Sequence, residues 1–345
     1  MSIAVAADHR DLLRDDLAER VTVCADDGTP LAAHVVGAPS AALTVVFVHG
    51  HCLRTESWWF LRDHLLRQWG SDQGVADTRM IFYDHRGHGR SGSADPATYT
   101  IDQLGRDLGA ILRTLAPTGP VVLVGHSMGA MAVLAHARLF PETIGTRVIG
   151  VGLIATAAAG ITTVGLARLL TRHTVTSFQL AVRRAPRTMS ASKRLGRRLF
   201  EPIVRETSFG TRRASPRMAA LATAMLNDTP LPTMAHFLDS LIRFDETPTL
   251  RLLADLPALV LGGSADILIP FAHSVVLAAQ LDGAELVRLD GAGHSVILER
   301  AEEVAAAVAD LVERALKRCA PPPAGTVTAA PPLPDLAAQA LVAAG

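Results

Sequence analysis

VLVGHSMGAMAVLAHA, running from Val122 to Ala137, is the stretch whose reading decides the fold of this chain. It sets Ser127 between Gly125 and Gly129, with apolar residues from Val121 to Val124 ahead and an alanine-rich helical segment behind. A chain that leaves a strand at a serine and enters a helix at once must turn there in a strained conformation, and the flanking glycines make room for that turn. The hydroxyl then stands above the sheet edge at a helix N-terminus. There the Met128 backbone N–H and the helix dipole favour negative charge. A plain structural turn would also satisfy G-x-S-x-G. The strand before it and the helix after it favour the reading in which the turn presents a nucleophile.

Outward from this turn, strands and helices alternate. Glu19 to Val36 reads as two short strands joined at Asp26-Asp27-Gly28, a hairpin signal. Leu43 to Val48 and Arg79 to Tyr83 are continuous apolar runs of the kind that form strands buried on both faces. Helices are expected at Glu56 to Gln68, Ile101 to Leu115 and Ser127 to Leu139, and a further strand at Val148 to Ala155. This alternation predicts an α/β fold with a mostly parallel central sheet and helices on both faces. From residue 158 to 255 it breaks into helical pieces separated by prolines. It resumes with a strand at Pro257 to Gly262, a helix at Phe271 to Leu281, a strand at Ala284 to Leu289 and one long helix at Val296 to Lys317. The expected organisation is therefore a core over 1–157 and 256–319, an inserted helical lid over 158–255, and a Pro/Ala-rich disordered tail over 320–345.

Composition narrows the function classes. With 49% hydrophobic and 19% charged residues, the chain has the balance of a packed globular protein. Formal net charge is zero, which argues against nucleic acid as a partner. Charge is unevenly spread, however: Ile161 to Ala220 holds 13 Arg or Lys against Glu201 and Glu206 alone. Such a stretch could rest on an anionic membrane surface, or be no more than a solvated helix surface. Cys24, Cys52 and Cys319 form neither a disulfide framework nor a metal pattern, which suits a reducing cytoplasm. No secretory signal is read in Met1 to Arg20, and no apolar run reaches the roughly 20 residues that span a bilayer.

A serine hydroxyl is a weak nucleophile that needs a base, a group to orient the base, and donors for the oxyanion. Asp266 follows the strand ending at Gly262, and His294 follows the next strand, within Asp290-Gly291-Ala292-Gly293-His294. Both lie at strand carboxyl ends, where catalytic groups collect in open α/β sheets. The loop His49-Gly50-His51-Cys52, after the strand Leu43 to Val48, puts the His51 N–H in position to pair with that of Met128. His49 and His51 alone lack the further ligands that a metal site needs, so no metal or other cofactor is expected.

These segments together resemble the α/β-hydrolase fold family, of the kind with a helical lid. The resemblance runs through VFVHGH, FYDHRGHGRSG, LVGHSMGAM, LVLGGSADILIP and LDGAGHSV, between residues 45 and 296. It implies Ser127 as nucleophile, Asp266 as acid, His294 as base, and His51 and Met128 as backbone oxyanion donors. It makes the turn carrying Asp84 and Arg86 structural. A serine at 127 sets the chain apart from relatives with an aspartate nucleophile. The implied activity is a serine hydrolase that cleaves carboxylic esters through an acyl-enzyme, on medium- or long-chain esters such as a lysophospholipid or monoacylglycerol. Thioester, amide, C–C bond and perhydrolase chemistry on the same triad remain open, as does a non-catalytic binding role. Lid residues including Leu166, Leu169, Phe178, Met218, Met225 and Phe237 are candidates to line an acyl tunnel. Oligomeric state is not readable.

Overall fold

A computed structural model of the chain describes residues 18–71, 77–185, 188–189, 193, 208–210 and 215–319. The tail over 320–345 lies outside the described residues, as do seven of the 13 basic residues counted above, from Arg187 to Arg213.

Eight strands form one sheet: β1 (Glu19–Cys24), β2 (Pro30–Val36), β3 (Leu43–Val48), β4 (Thr78–Tyr83), β5 (Val121–His126), β6 (Val148–Ile154), β7 (Ala258–Gly263) and β8 (Ala284–Leu289). Their order across the sheet is β1-β2-β4-β3-β5-β6-β7-β8. Only the β1–β2 and β2–β4 pairs are antiparallel; the other five are parallel. A parallel sheet must be covered on both faces, and β3 shows how its sequence meets that demand. All six of its residues are buried. Val46 and Val48 pack into one apolar cluster, with Leu104, Leu108 and Met131, while Val45 and Phe47 pack into the opposite one, with Trp58, Leu61 and Val308.

The helix Ile101–Leu115 begins where the Thr100 side chain accepts the Gln103 N–H, which satisfies one of the orphan donors of a helix start. Its apolar residues Ile101, Leu104, Leu108, Ile111 and Leu115 recur every three or four positions and are all buried. At the other end of the chain, the expected single helix from Val296 to Lys317 is two: Val296–Glu299 and Ala301–Cys319. Arg300 breaks it, with φ −130° and ψ 43°, and its guanidinium reaches back to the Asp290 carbonyl at 2.9 Å. Apolar spacing continues across the break, so periodicity could not reveal it. Between β6 and β7 the described chain is helical, with α-helices at Arg172–Arg184, Pro216–Asp228 and Leu231–Ile242.

The turn after β4 is structural. Arg86, fully buried, holds Asp107 with two nitrogens at 2.6 and 2.7 Å, and Asp27 at 2.6 Å. It thereby ties the β1–β2 hairpin and the helix Ile101–Leu115 to the sheet. Removing one partner of such a buried pair leaves the other charge uncompensated, at a cost of about 3–5 kcal/mol. Arg86→Ala is expected to lose that much stability in urea unfolding. A loss under about 1 kcal/mol would contradict this role.

Candidate functional site

β5 ends at His126, and the helix Met128–Leu139 begins two residues later, so Ser127 alone makes the turn. Its φ of 53° and ψ of −120° form a conformation that costs a non-glycine residue about 1–3 kcal/mol. Surrounding hydrogen bonds hold it there. The Ser127 N–H donates to the Ile154 carbonyl at 2.8 Å, and the Thr156 hydroxyl donates to the Ser127 carbonyl at 3.1 Å. The two glycines are demanded by close approach. A methyl at Gly129 would stand 2.0 Å from the Val48 carbonyl oxygen, and one at Gly125 would stand 2.4 Å from the Ala130 backbone.

Tertiary folding brings three side chains from distant parts of the sequence into one hydrogen-bonded series. His294 Nε2 lies 3.0 Å from the Ser127 Oγ, and His294 Nδ1 lies 2.7 Å from the Asp266 Oδ2. Asp266 follows β7, and its side chain is 1% exposed. Its other oxygen, Oδ1, accepts the Leu268 and Ile269 N–H groups, both at 2.9 Å. With both oxygens occupied, the carboxylate can turn only one face to the imidazole. An imidazole that donates Nδ1–H to Asp266 presents a bare Nε2 to the serine hydroxyl, which is the tautomer a general base needs.

The loop after β3 lies against the serine: a methyl on Gly50 would be 3.2 Å from the Ser127 Cβ. His51 and Met128 both line the cavity into which Ser127 opens. Met128 is the first residue of its helix, so its N–H has no acceptor within the helix. Cys52, beside them, is buried with φ 61°, and burial pushes its thiol up to about 12. It therefore stays a neutral packing group rather than a thiolate.

The cavity measures about 580 Å³, within the range of small-molecule sites. Its walls are mainly apolar, with Leu166, Leu170, Phe178, Met234 and Leu241 from the helical segment between β6 and β7 facing Met131 and Ile269 of the sheet domain. Not all the expected tunnel residues reach it. Met218 and Met225 pack with the core cluster around Phe47, and Phe237 with the cluster around Val46.

Buried histidines surround the site. His49, His85 and His88 are fully buried, with ring centroids 4.4–6.2 Å apart. Backbone groups meet both ring nitrogens of His49 and His88 and the Nε2 of His85: His49 Nε2 accepts the His85 N–H at 3.0 Å, His88 Nε2 accepts the Cys52 N–H at 3.2 Å, and His85 Nε2 lies 2.9 Å from the His49 carbonyl. Among the described residues no cluster of metal-ligating side chains is found.

Burial lowers the pKa of these rings: His85 to about 3, His51 to about 4, and His49 and His88 well below the ordinary 6.5. His126, which the sequence reading passed over, is lowered to about 3 and His136 to about 4, again mainly by burial. Below pH 6.5 the unfolded chain binds protons that the folded chain refuses, so stability is complete above pH 6.5 and is lost as pH falls toward 3–4. Asp84 and Asp107 act in the opposite sense, because burial raises both, Asp84 to about 6. The six histidines outnumber the two carboxyls, so the expected balance near pH 5 is a net uptake of protons on unfolding and a stability that falls as pH falls. Urea midpoints measured from pH 7.5 to 5 test this, and a flat profile would refute it.

Comparison with known proteins shows the family and the fold. A family model described as the alpha/beta hydrolase family matches residues 45–307. A Rhizobium rhizogenes protein provisionally named carbamate hydrolase RutD is 29% identical over 240 residues, covering 66% of this chain and 80% of that protein. An esterase from Thermogutta terrifontis superposes with a TM-score of 0.67 at 23% identity, over 86% of this chain and 99% of the other. The enol-lactonase of Burkholderia xenovorans gives 0.66 at 23% identity, over 85% and 100%. The two structures share the fold at identities too low to carry substrate.

Proposed function

Because the chain belongs to the alpha/beta hydrolase family and is a hydrolase, we propose that it is a serine carboxylic-ester hydrolase acting on medium- or long-chain acyl esters. The observation that carries this reading is the Asp266–His294–Ser127 series opening onto an apolar cavity of about 580 Å³. His294 Nε2 takes the Ser127 proton as Oγ attacks the ester carbonyl, while Asp266 stabilises the imidazolium. The His51 and Met128 N–H groups hold the tetrahedral oxyanion. His294 then gives its proton to the leaving alcohol. Water, deprotonated by the same imidazole, attacks the acyl-enzyme and releases the acid and the free serine. No cofactor enters these steps.

Residues 158–255 act in this reading as the lid, which supplies the acyl-binding wall. A small carbamate, the substrate type in the name of the Rhizobium relative, would leave most of that apolar wall unfilled. Lysophospholipid or monoacylglycerol would fill it. Exposed Arg168, Arg172, Arg183 and Arg184 beside exposed Leu169 suit an anionic headgroup or surface.

A p-nitrophenyl ester series from C2 to C12, with a thioester, an amide and a carbamate alongside, tests the reading. Each buried methylene contributes about 0.8 kcal/mol, so kcat/KM should climb by up to about fourfold per carbon until the cavity is full. Equal rates along the series, or faster turnover of the carbamate, would overturn the acyl-ester assignment.

A further inference from the structure

The loop that carries His294 is fastened at three successive residues. The Gly293 N–H donates to the Glu299 Oε2 at 2.9 Å. The His294 carbonyl accepts from the His126 Nε2 at 2.9 Å. The Ser295 N–H donates to the Ser208 carbonyl at 2.7 Å. The same Glu299 oxygen also accepts the Gly210 N–H at 3.2 Å. Ser208 and Gly210 belong to the segment between β6 and β7, so one carboxylate oxygen joins that segment to the residue preceding His294.

The contact leaves no room for adjustment. A methyl on Gly293 would lie 2.2 Å from the Gly210 nitrogen, and one on Gly210 would lie 2.5 Å from the Gly293 nitrogen. Between them Phe209 is buried, within the same apolar cluster as Val296 and Ile297. Ser208 itself lines the cavity beside His294 and Ser295. One side-chain oxygen that accepts two N–H groups fixes the two backbones against each other by geometry.

We propose that Glu299 is a positioning residue that sets His294 against Ser127, and that it does so by clamping the Ser208–Gly210 segment to the His294 loop. The proposal rests on reading Ser127 and His294 as nucleophile and base. It adds that the seating of the segment between β6 and β7 governs the chemical step as well as substrate choice. Displacing a general base by a fraction of an ångström to 1 Å costs up to about 100-fold in rate without touching the substrate. Loss of the clamp therefore acts on kcat and leaves KM for a given ester nearly unchanged.

The test compares Glu299→Ala, Glu299→Gln and Gly210→Ala in the full chain. It reads the rate at which a fluorophosphonate labels Ser127, kcat and KM per titrated serine, and the downfield proton resonance of the His294–Asp266 hydrogen bond. Glu299→Ala should slow labelling and kcat about 10- to 100-fold, leave KM within about threefold, and broaden or shift the resonance. Glu299→Gln, whose amide oxygen can accept both N–H groups, should recover most of the loss. Gly210→Ala, which forces the two backbones apart while keeping Glu299, should resemble Glu299→Ala. Titrating active serines removes any contribution from misfolded protein, and the resonance needs no turnover, so the clamp is judged even if esters prove to be the wrong substrates. Unchanged labelling, kcat and resonance in Glu299→Ala, or equal losses in the alanine and glutamine variants, would overturn the proposal.

Discussion

Ser127→Ala is expected to lower kcat/KM toward a mid-chain ester by on the order of 10⁵-fold, with KM hardly changed. The variant retains the elbow, the His294–Asp266 pair and the cavity, and loses only the oxygen that forms the acyl-enzyme. Residual turnover would come from water placed in the cavity under the two backbone donors. Alanine in a φ of 53° keeps the strain of the turn, so the fold should hold near wild-type stability. Fluorophosphonate labelling is the direct measurement: wild-type protein should label at a single serine, and the variant not at all. Labelling that persists in Ser127→Ala would remove Ser127 as the nucleophile. Labelling absent from the wild type would favour a binding protein built on a hydrolase fold.

Asp266→Asn should cost about 10⁴-fold in kcat with little change in structure, because it changes which proton the imidazole carries. The position is already constrained. Oδ1 accepts two backbone N–H groups at 2.9 Å, so the amide oxygen of an asparagine must stay there and its NH₂ must face His294 Nδ1. An NH₂ group donates, so Nδ1 becomes the acceptor and Nε2 keeps its proton, aimed at the Ser127 Oγ. The base is then blocked by its own hydrogen. Measured between pH 6 and 9, activity of the variant should stay low throughout. A loss under tenfold would mean that Asp266 is a loop cap rather than the orienting group.

Much of the site was legible in the sequence because its parts sit at strand ends, and strand ends can be read from apolar runs and glycines. Gly125 and Gly129 mark Ser127, and their spacing has a steric reason, since a methyl at either would collide with backbone. The order serine, aspartate, histidine on successive strand ends pointed to Asp266 and His294. His126 and Glu299 could not be found this way. One looked like the variable residue of a motif, the other like one more acidic residue in a helix that seemed continuous. Their roles come from backbone groups of residues far away in the sequence, to which no side-chain pattern points. No sequence signal sets Glu299 apart, because the break at Arg300 that follows it is itself visible only in the structure.

The sequence by itself determined the α/β alternation, the parallel sheet, the elbow and the identity of the three side chains in the hydrogen-bonded series. Each of these follows from local rules of periodicity, turn chemistry and strand-end placement. Only the tertiary structure decided which apolar residues between β6 and β7 line the cavity and which pack into the core. It also decided how the His294 loop is fastened and which histidines are forced to stay neutral. These depend on burial and on backbone contacts between distant segments, and such contacts exist only after the chain has closed on itself.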